Sequence, residues 1–283
     1  MILGAITNSW REQLPSHSVM ELVGQAVRKG AKHIELRQTC LGECEDGAGD
    51  DWRPNLDGLR EVVRAYPALT FDLAMALPCL SRKIDPQGEG FQAALAGAKL
   101  VGGSHPHLRV VDPAPFDSPW DSPGDIPEDA LGPGPGPGVS ITSNLAGLAS
   151  EAARQGIILS LENSSQPIGS MAMLVEQVRS MVSEPAGENL GLCPDPTNQL
   201  RRFPDSDPLA DLDALPLDMI KIVHFKQIRG GETHPTVDDG DLDCRRMRDI
   251  LDAKGYTGAA IMEIPSDPDV FDNLEASFRY LDS

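Results

Sequence analysis

Eight short apolar segments, each followed by a longer segment with helical periodicity, run through this chain of 283 residues. Short apolar runs bounded by turn residues indicate buried strands, and apolar residues that recur every three or four positions indicate amphipathic helices. Parallel strands need a crossover, so this alternation predicts one parallel sheet. The predicted strands are Ile2–Thr7, His33–Arg37, Leu69–Met75, His107–Val111, Ile157–Glu162, Leu190–Asp195, Met219–His224 and Ala259–Glu263.

Eight strand–helix units are the number that closes a (β/α)8 TIM barrel, so residues 1–283 are predicted to form a single barrel. An open doubly wound sheet is the alternative, but the glycine pair Gly102-Gly103 precedes a strand instead of following one, unlike a phosphate-binding fingerprint. The predicted helices are Ser18–Lys29, Leu56–Tyr66, Phe91–Val101, Ile141–Gln155, Met171–Val182, Pro208–Leu215, Cys244–Lys254 and Asp269–Leu281.

One segment, Asp112–Gly138, interrupts this alternation of strands and helices. It is rich in proline and glycine, ends in GPGPGPG and has no apolar period. It is predicted to be a long loop after the fourth strand, on the face that carries the other strand-to-helix loops. Long loops on that face often cover active sites, and a domain linker is the weaker alternative.

The charge of the chain restricts its partners. The formal net charge is −19 and the sequence pI is about 4.6. Such a chain repels phosphate backbones and anionic lipid surfaces, so neither nucleic acid nor a membrane is an expected partner. The first residues lack the pattern of a secretory signal, and the five cysteines are irregularly spaced, which favours reduced thiols and a cytoplasmic location.

Four predicted strands in the second half of the sequence end on metal-ligating residue types. These residues are Glu162, Asp195, His224 and Glu263, separated by about one strand–helix repeat each. In a closed barrel such positions lie side by side, where three carboxylates would repel one another unless a cation lay between them. Three oxygen ligands and one imidazole suit one divalent ion, with Mn²⁺ favoured and Mg²⁺ or Co²⁺ as alternatives, better than structural zinc.

These segments resemble the xylose isomerase-like barrels, a family of sugar isomerases and epimerases that also includes dehydratases and decarboxylases. The motifs SLEN, CPDPTN, VHFK, DDGDLD and IMEIP stand in the family's order. The resemblance implies that Glu162, Asp195, His224 and Glu263 bind one divalent metal. It also implies that Glu162 and Glu263 are catalytic and transfer protons. Barrels of this kind often form dimers or tetramers, so a homo-oligomer is one expectation.

The implied reaction is enolisation of a keto-sugar or sugar acid through a metal-stabilised enediolate. An isomerase or epimerase returns the proton, whereas the alternative, a lyase acting on an oxo sugar acid, loses carbon dioxide or water from the same enediolate. Two departures from the family weaken the transfer of a particular epimerase activity. Asn198 stands where family epimerases commonly have a histidine, and Gln227 stands where an acidic residue is usual.

Several further residues are candidate substrate contacts. They are Glu35, Arg37, Arg109, Asn198, Lys226 and Arg229. Cations near the mouth of an acidic barrel indicate an anionic sugar-like substrate, whose carboxylate a guanidinium can bind in two places. The equally weighted alternative is that these cations balance Glu35 and the metal carboxylates.

Other functions compete less well with this one. His105 and His107 share a strand face and could form a second metal site, but they open the fourth strand and are expected lower in the barrel. A DNA-repair phosphodiesterase such as endonuclease IV shares this fold family, but that chemistry needs more histidines and the charge opposes DNA binding. A non-catalytic relic barrel would be expected to have lost a metal ligand.

Overall fold

A computed structural model of the protein describes residues 1–114, 120, 122–126 and 140–283. Eight strands form its main sheet. They are β1 (Ile2–Ile6), β2 (His33–Arg37), β3 (Thr70–Ala76), β4 (His107–Val111), β5 (Ile158–Glu162), β6 (Leu190–Cys193), β7 (Val223–Phe225) and β8 (Ala259–Met262).

All pairings in this sheet are parallel, and the strands follow the order β6, β5, β4, β3, β2, β1, β8, β7. A parallel bridge from Leu192 to Ile220 joins β6 to the segment before β7 and so nearly closes the ring. The seam depends on Gly191, because a Cβ there would lie 2.5 Å from the carbonyl oxygen of Met219. The predicted TIM barrel is therefore confirmed.

Helices follow the strands along the chain. They are α1 (Val19–Arg28), α2 (Leu56–Ala65), α3 (Glu89–Val101), α4 (Ile141–Arg154), α5 (Ile168–Met181), α6 (Ala186–Asn189), α7 (Pro196–Arg202), α8 (Pro208–Ala214), α9 (Cys244–Ala253) and α10 (Val270–Asp282). Each predicted helix is present, with its ends moved by a few residues. The short helices α6 and α7 were not predicted, because neither is long enough to show an apolar period.

The two faces of each strand have different surroundings. Residues such as Leu36, Leu73 and Leu108 belong to the main hydrophobic cluster that the helices share. Because side chains alternate along a strand, their neighbours Glu35 and Arg109 point to the other face, into the barrel. Both are buried, so the interior of this barrel is polar over part of its height.

Most of the predicted loop Asp112–Gly138 lies outside the described residues. Within the described part, buried Asp112 accepts hydrogen bonds from the backbone of Leu80 and Ser81. The described residues contain no helix that is both long and apolar enough to cross a membrane. The five cysteines are buried free thiols.

Candidate metal centre

Four side chains meet at the carboxyl end of the barrel, and we call them the mouth cluster: Glu162, Asp195, His224 and Glu263. One ligand atom from each lies within 4.8 Å of the ligand atoms of the others. Glu162 is the last residue of β5, His224 lies within the short strand β7, and Asp195 and Glu263 follow β6 and β8 by two residues and one residue. Parallel strands end on the same face of a barrel, which explains how residues distant in sequence converge.

The charge balance around the cluster fits a divalent cation. Glu35 and the three cluster carboxylates are in ion-pair contact with two fixed cations, Arg109 and Lys226. When no ion is bound, burial at His224 is outweighed by neighbours that include Glu35 and Glu162, and the pKa of His224 is raised well above its usual value. A metal ligand must be a neutral imidazole, so an ion would displace that proton. With His224 then neutral, the four carboxylates and two cations leave two negative charges, which one divalent ion would neutralise. Carboxylate oxygens and one imidazole nitrogen are also donors that such ions accept. The donor set therefore fits a divalent metal, which the four residues of the mouth cluster would hold.

His224 presents its two ring nitrogens to different partners. Nδ1 lies 3.2 Å from Glu263 Oε2 and 3.6 Å from Glu162 Oε1, so it faces the cluster. Nε2 lies 3.3 Å from Glu35 Oε2 on the opposite side. A carboxylate at this second nitrogen favours the tautomer that leaves Nδ1 free as a ligand. Buried Glu35 thus lies behind His224, where it can fix the orientation of the ring, and its predicted role as a substrate contact stays a prediction.

Arg109 lies beneath the cluster and is 1% exposed. Its guanidinium pairs with Glu35 and, at 2.7 Å, with Glu162 Oε2. A guanidinium this deeply buried and already bound to two carboxylates has little freedom to grip a ligand. The structure thus supports the charge-balancing interpretation of Arg109.

Lys226 and Asn198 lie at the edge of the cluster. Lys226 Nζ is 2.9 Å from Asp195 Oδ2 and 2.7 Å from Glu263 Oε2. Asn198 Nδ2 donates to Glu162 Oε1 at 3.1 Å, and Lys226 donates to Asn198 Oδ1 at 3.2 Å. The two residues therefore fix the carboxylates from the side that opens to solvent.

The protonation of the cluster follows from these contacts. Burial alone would raise the pKa of Glu162, but Arg109 and His224 outweigh it and hold that pKa below its usual value. Burial is likewise outweighed at Glu263, chiefly by Lys226, and its pKa lies well below the usual range. Burial and the neighbouring glutamates raise the pKa of Asp195. Glu162 and Glu263 are therefore ionised near neutral pH.

The two other predicted arginines differ in position. Arg37 is half-buried. Burial and the nearby charge of Arg109 lower its pKa, and the negative charges of Glu162 and Glu263 partly offset this by raising it. Its guanidinium donates to the carbonyl of Gln38. Arg229 is exposed and lies against Asp238 and Asp239, so the structure does not bring it to the cluster.

A cavity of about 340 Å³ opens beside the cluster, and we call it the mouth cavity. Lys226 and Glu263 form its inner wall, and Asn8, Arg11 and Arg201 also line it. Asn8 donates to Glu263 Oε1 at 2.8 Å. None of these last three residues was singled out in the sequence, although Asn8 follows the first strand as closely as other site residues follow theirs.

A second polar group lies lower in the barrel, and we call it the floor cluster: His33, Asp72, His107 and Ser160. All four are buried. Asp72 Oδ1 is 2.8 Å from His33 Nε2, Asp72 Oδ2 is 3.6 Å from His107 Nδ1, and His107 Nε2 is 2.7 Å from Ser160 Oγ. His105 is exposed outside this group, and the mouth cluster is the single candidate metal group within the described residues.

Fold and site together define a TIM barrel with a candidate metal centre at its carboxyl end. The sequence model of the xylose isomerase-like TIM barrel matches residues 139–283, which include the whole mouth cluster. The match covers slightly more than half of the chain. This protein belongs to the xylose isomerase-like TIM barrel family. No curated protein sequence matches the chain significantly.

Solved structures share the fold at low sequence identity. An L-ribulose 3-epimerase superposes with a TM-score of 0.67 at 15% identity, over 100% of this chain and 94% of the other. The probable 3-DHS dehydratase AsbF of Bacillus anthracis gives 0.69 at 14% identity, over 100% and 99%. The IolI protein with a bound zinc atom gives 0.65 at 16% identity, over 100% and 95%. At such identities these likenesses establish the fold alone.

Proposed function

We propose that this protein is a divalent-metal-dependent isomerase or epimerase of a keto-sugar or sugar acid. The observation that carries the proposal is the mouth cluster, whose four metal-ligand side chains converge beside a cavity large enough for a small substrate. When bound there, a divalent cation polarises a carbonyl and stabilises negative charge on adjacent oxygens. Mn²⁺ is our first choice for that cation.

Glu162 and Glu263 are the proposed proton-transfer groups. Both are ionised near neutral pH, so either can accept a proton from the carbon next to a carbonyl. Asn198 and Asn8 hold one oxygen of each carboxylate and so limit its rotation. Their different positions let one carboxylate remove a proton while the other returns it, which is the requirement for isomerisation or epimerisation.

Lys226 supports the same reaction electrostatically. Its ammonium group touches both Asp195 and Glu263 and lines the mouth cavity. A fixed positive charge at that point favours an enediolate, which is more negative than the ketone from which it forms. The alternative is a lyase acting on an oxo sugar acid, because the cations of the cavity also suit a substrate that carries a carboxylate.

Proton exchange in D₂O tests the proposal. Mn²⁺-loaded protein is incubated with a panel of keto-sugars and oxo sugar acids and followed by NMR. We expect deuterium next to the carbonyl of at least one compound, with all carbons retained. Glu162→Gln should abolish this exchange, whereas Glu176→Gln, at an exposed position on α5, should not.

The outcome also separates the two functions. Release of carbon dioxide or water without deuterium in recovered substrate would replace the isomerase by the lyase. Absence of both reactions with every metal and compound tested would contradict the proposed enzyme class.

A further inference from the structure

We propose that the substrate of this enzyme is an anion, and that its charged group binds to Arg11 and Arg201 in the mouth cavity. The inference rests on the proposed function, because it names the substrate class for the same site. It concerns residues of the cavity wall that lie outside the mouth cluster. The anion is a carboxylate or a phosphate, both of which a guanidinium binds through paired hydrogen bonds.

The charges that line the mouth cavity are unequal. Lys226 and Glu263 neutralise each other across 2.7 Å. The remaining charged residues of the wall are both cations, Arg11 and Arg201. The inner wall of the cavity is therefore balanced, and its outer part is positive.

Both arginines lack a counter-charge in the described part of the chain. Arg201 donates to the hydroxyl of Thr233 at 3.2 Å, and Arg11 reaches the thiol of Cys40 at 3.5 Å. Neither has a carboxylate within 4.0 Å among the described residues. By contrast, the nearby cations Arg109 and Lys226 each touch two carboxylates.

The lack of a carboxylate beside Arg11 and Arg201 in the described structure is more significant because the chain as a whole is strongly acidic. In a chain with a net charge of −19, acidic side chains are abundant, yet none contacts these two guanidinium groups in the described structure. A positive wall in a recess of an acidic protein attracts small anions to that recess while the remaining surface repels them.

The position of the arginines sets the expected orientation of the substrate. Arg11 follows β1, and Arg201 lies in α7, whose first turn is capped by Asp195. Both residues thus reach the cavity from segments that follow barrel strands, as Asp195 and Glu263 do. A substrate whose reacting carbons lie at Glu263 can extend its far end toward the two arginines.

Three sugars that differ at one carbon test this inference by calorimetry on the metal-loaded full chain: D-fructose, D-fructuronate and D-fructose 6-phosphate. We expect at least one anion to bind roughly 10-fold tighter than D-fructose, because hydrogen bonds between charged groups are stronger than those between neutral groups. The anion preferred over the other tells whether the native group is a carboxylate or a phosphate.

Arg11→Gln and Arg201→Gln should each remove about 10-fold of that preference while D-fructose binding stays within about 2-fold. Arg60→Gln, on the exposed face of α2, is the matched control and should change neither. Metal content and melting temperature, measured on each variant, confirm that a loss comes from the missing guanidinium.

Equal binding of the three sugars, including no measurable binding of any, would overturn the inference. So would an equal loss of D-fructose and anion binding in both variants. Anion binding that depends on the arginines, without proton exchange in D₂O, would keep the anion site and reject the proposed reaction. Proton exchange of D-fructose without any preference for an anion would keep the proposed reaction and reject the anion site.

Discussion

The two polar groups inside this barrel, the mouth cluster and the floor cluster, satisfy burial in different ways. In the floor cluster one carboxylate lies between two histidines: Asp72 is hydrogen-bonded to His33 and lies 3.6 Å from His107. The outer ring nitrogens of the two histidines are within hydrogen-bond distance of the hydroxyl groups of Thr70 and Ser160. The mouth cluster holds three carboxylates, and together with Glu35 these are in ion-pair contact with only two fixed cations, Arg109 and Lys226. The floor cluster holds a single carboxylate, whereas the mouth cluster brings several carboxylates to a point where a further cation could bind.

Position in the barrel explains this difference. The carboxyl ends of the strands open into loops and a cavity, where a metal and a substrate can enter, whereas the amino ends contribute mainly to stability. Removal of a floor residue should therefore reduce stability without affecting metal binding. Removal of a mouth residue should affect metal binding first.

The largest expected effect concerns Asp72. Replacing it by alanine leaves buried His33 Nε2 without its hydrogen-bond partner, and an unsatisfied buried polar group typically costs about 1–3 kcal/mol. We expect Asp72→Ala to lower the free energy of unfolding by that amount, measured with urea. The folded fraction should still bind metal with the stoichiometry of the wild type. A normal stability, or a loss of metal from folded protein, would break the comparison.

The next largest effect concerns Glu35, which is in ion-pair contact both with His224, a member of the mouth cluster, and with Arg109, which lies beneath the cluster. Glu35→Gln keeps the shape of the side chain but removes its charge. Outer partners of metal ligands typically contribute about 10–100-fold to affinity, so we expect Mn²⁺ binding to weaken by that factor. Titration calorimetry measures it, with exposed Glu61→Gln as the control. Unchanged affinity would mean that Glu35 does not orient His224.

The floor cluster should make the stability of the protein depend on pH. Burial lowers the pKa of His107 to about 3. Below its ordinary pKa of about 6.5, the unfolded chain binds a proton that the folded chain refuses, so stability falls as pH falls. The loss is about 1.4 kcal/mol per pH unit, or about 2 kcal/mol from pH 6.5 to pH 5.

His107→Gln should abolish this acid-side loss relative to the wild type. Asp72 acts in the opposite direction, because burial and Glu35 raise its pKa to about 6. Between about pH 4 and pH 6 the folded chain therefore binds a proton that the unfolded chain has lost. The contribution of Asp72 to the free energy of unfolding falls as the pH rises through this range. Comparing the two proteins at each pH isolates His107. If the free energy of unfolding changes with pH by the same amount in both proteins, the folded floor cluster does not exclude a proton from His107.

The smallest expected effect has the opposite sign. Lys226→Met keeps the aliphatic stem but removes the ammonium group from Asp195 and Glu263. Because the ligands then carry one more uncompensated negative charge, we expect Mn²⁺ to bind roughly 10-fold tighter, a change of about 1.4 kcal/mol. Weaker binding in calorimetry would mean that Lys226 supports the metal site structurally instead of competing with the cation.

The fold and the mouth cluster were accessible from the sequence for the same reason. Apolar runs mark the barrel strands, and a residue such as Glu162 or Glu263 at the end of a run has its face and depth set by that strand. The strand bounds changed little, except that β7 is Val223–Phe225: the predicted first residue, Met219, ends a single 3-10 turn, and Ile220 makes only an isolated bridge to Leu192.

Contacts across the barrel were not accessible in this way. Glu35 and His224 are 189 residues apart, and nothing in either strand indicates that they meet. Arg11 and Arg201 lie outside the strands, where no period fixes their direction. Asp72 did leave a signal, a carboxylate inside the apolar run FDLAM, and such an isolated charge predicts a buried partner even when the partner is unknown.

The metal content of the protein tests the central claim most directly. Wild type and Glu162→Gln are loaded with Mn²⁺, freed of unbound ion and measured by elemental analysis, with Glu176→Gln as the control. The proposed site predicts about one ion per chain in wild type and control, and a loss in Glu162→Gln larger than the roughly 100-fold that outer partners cause. If wild type retains no Mn²⁺, Co²⁺, Mg²⁺ or Zn²⁺, or if Glu162→Gln retains as much as wild type, the mouth cluster is not a metal centre.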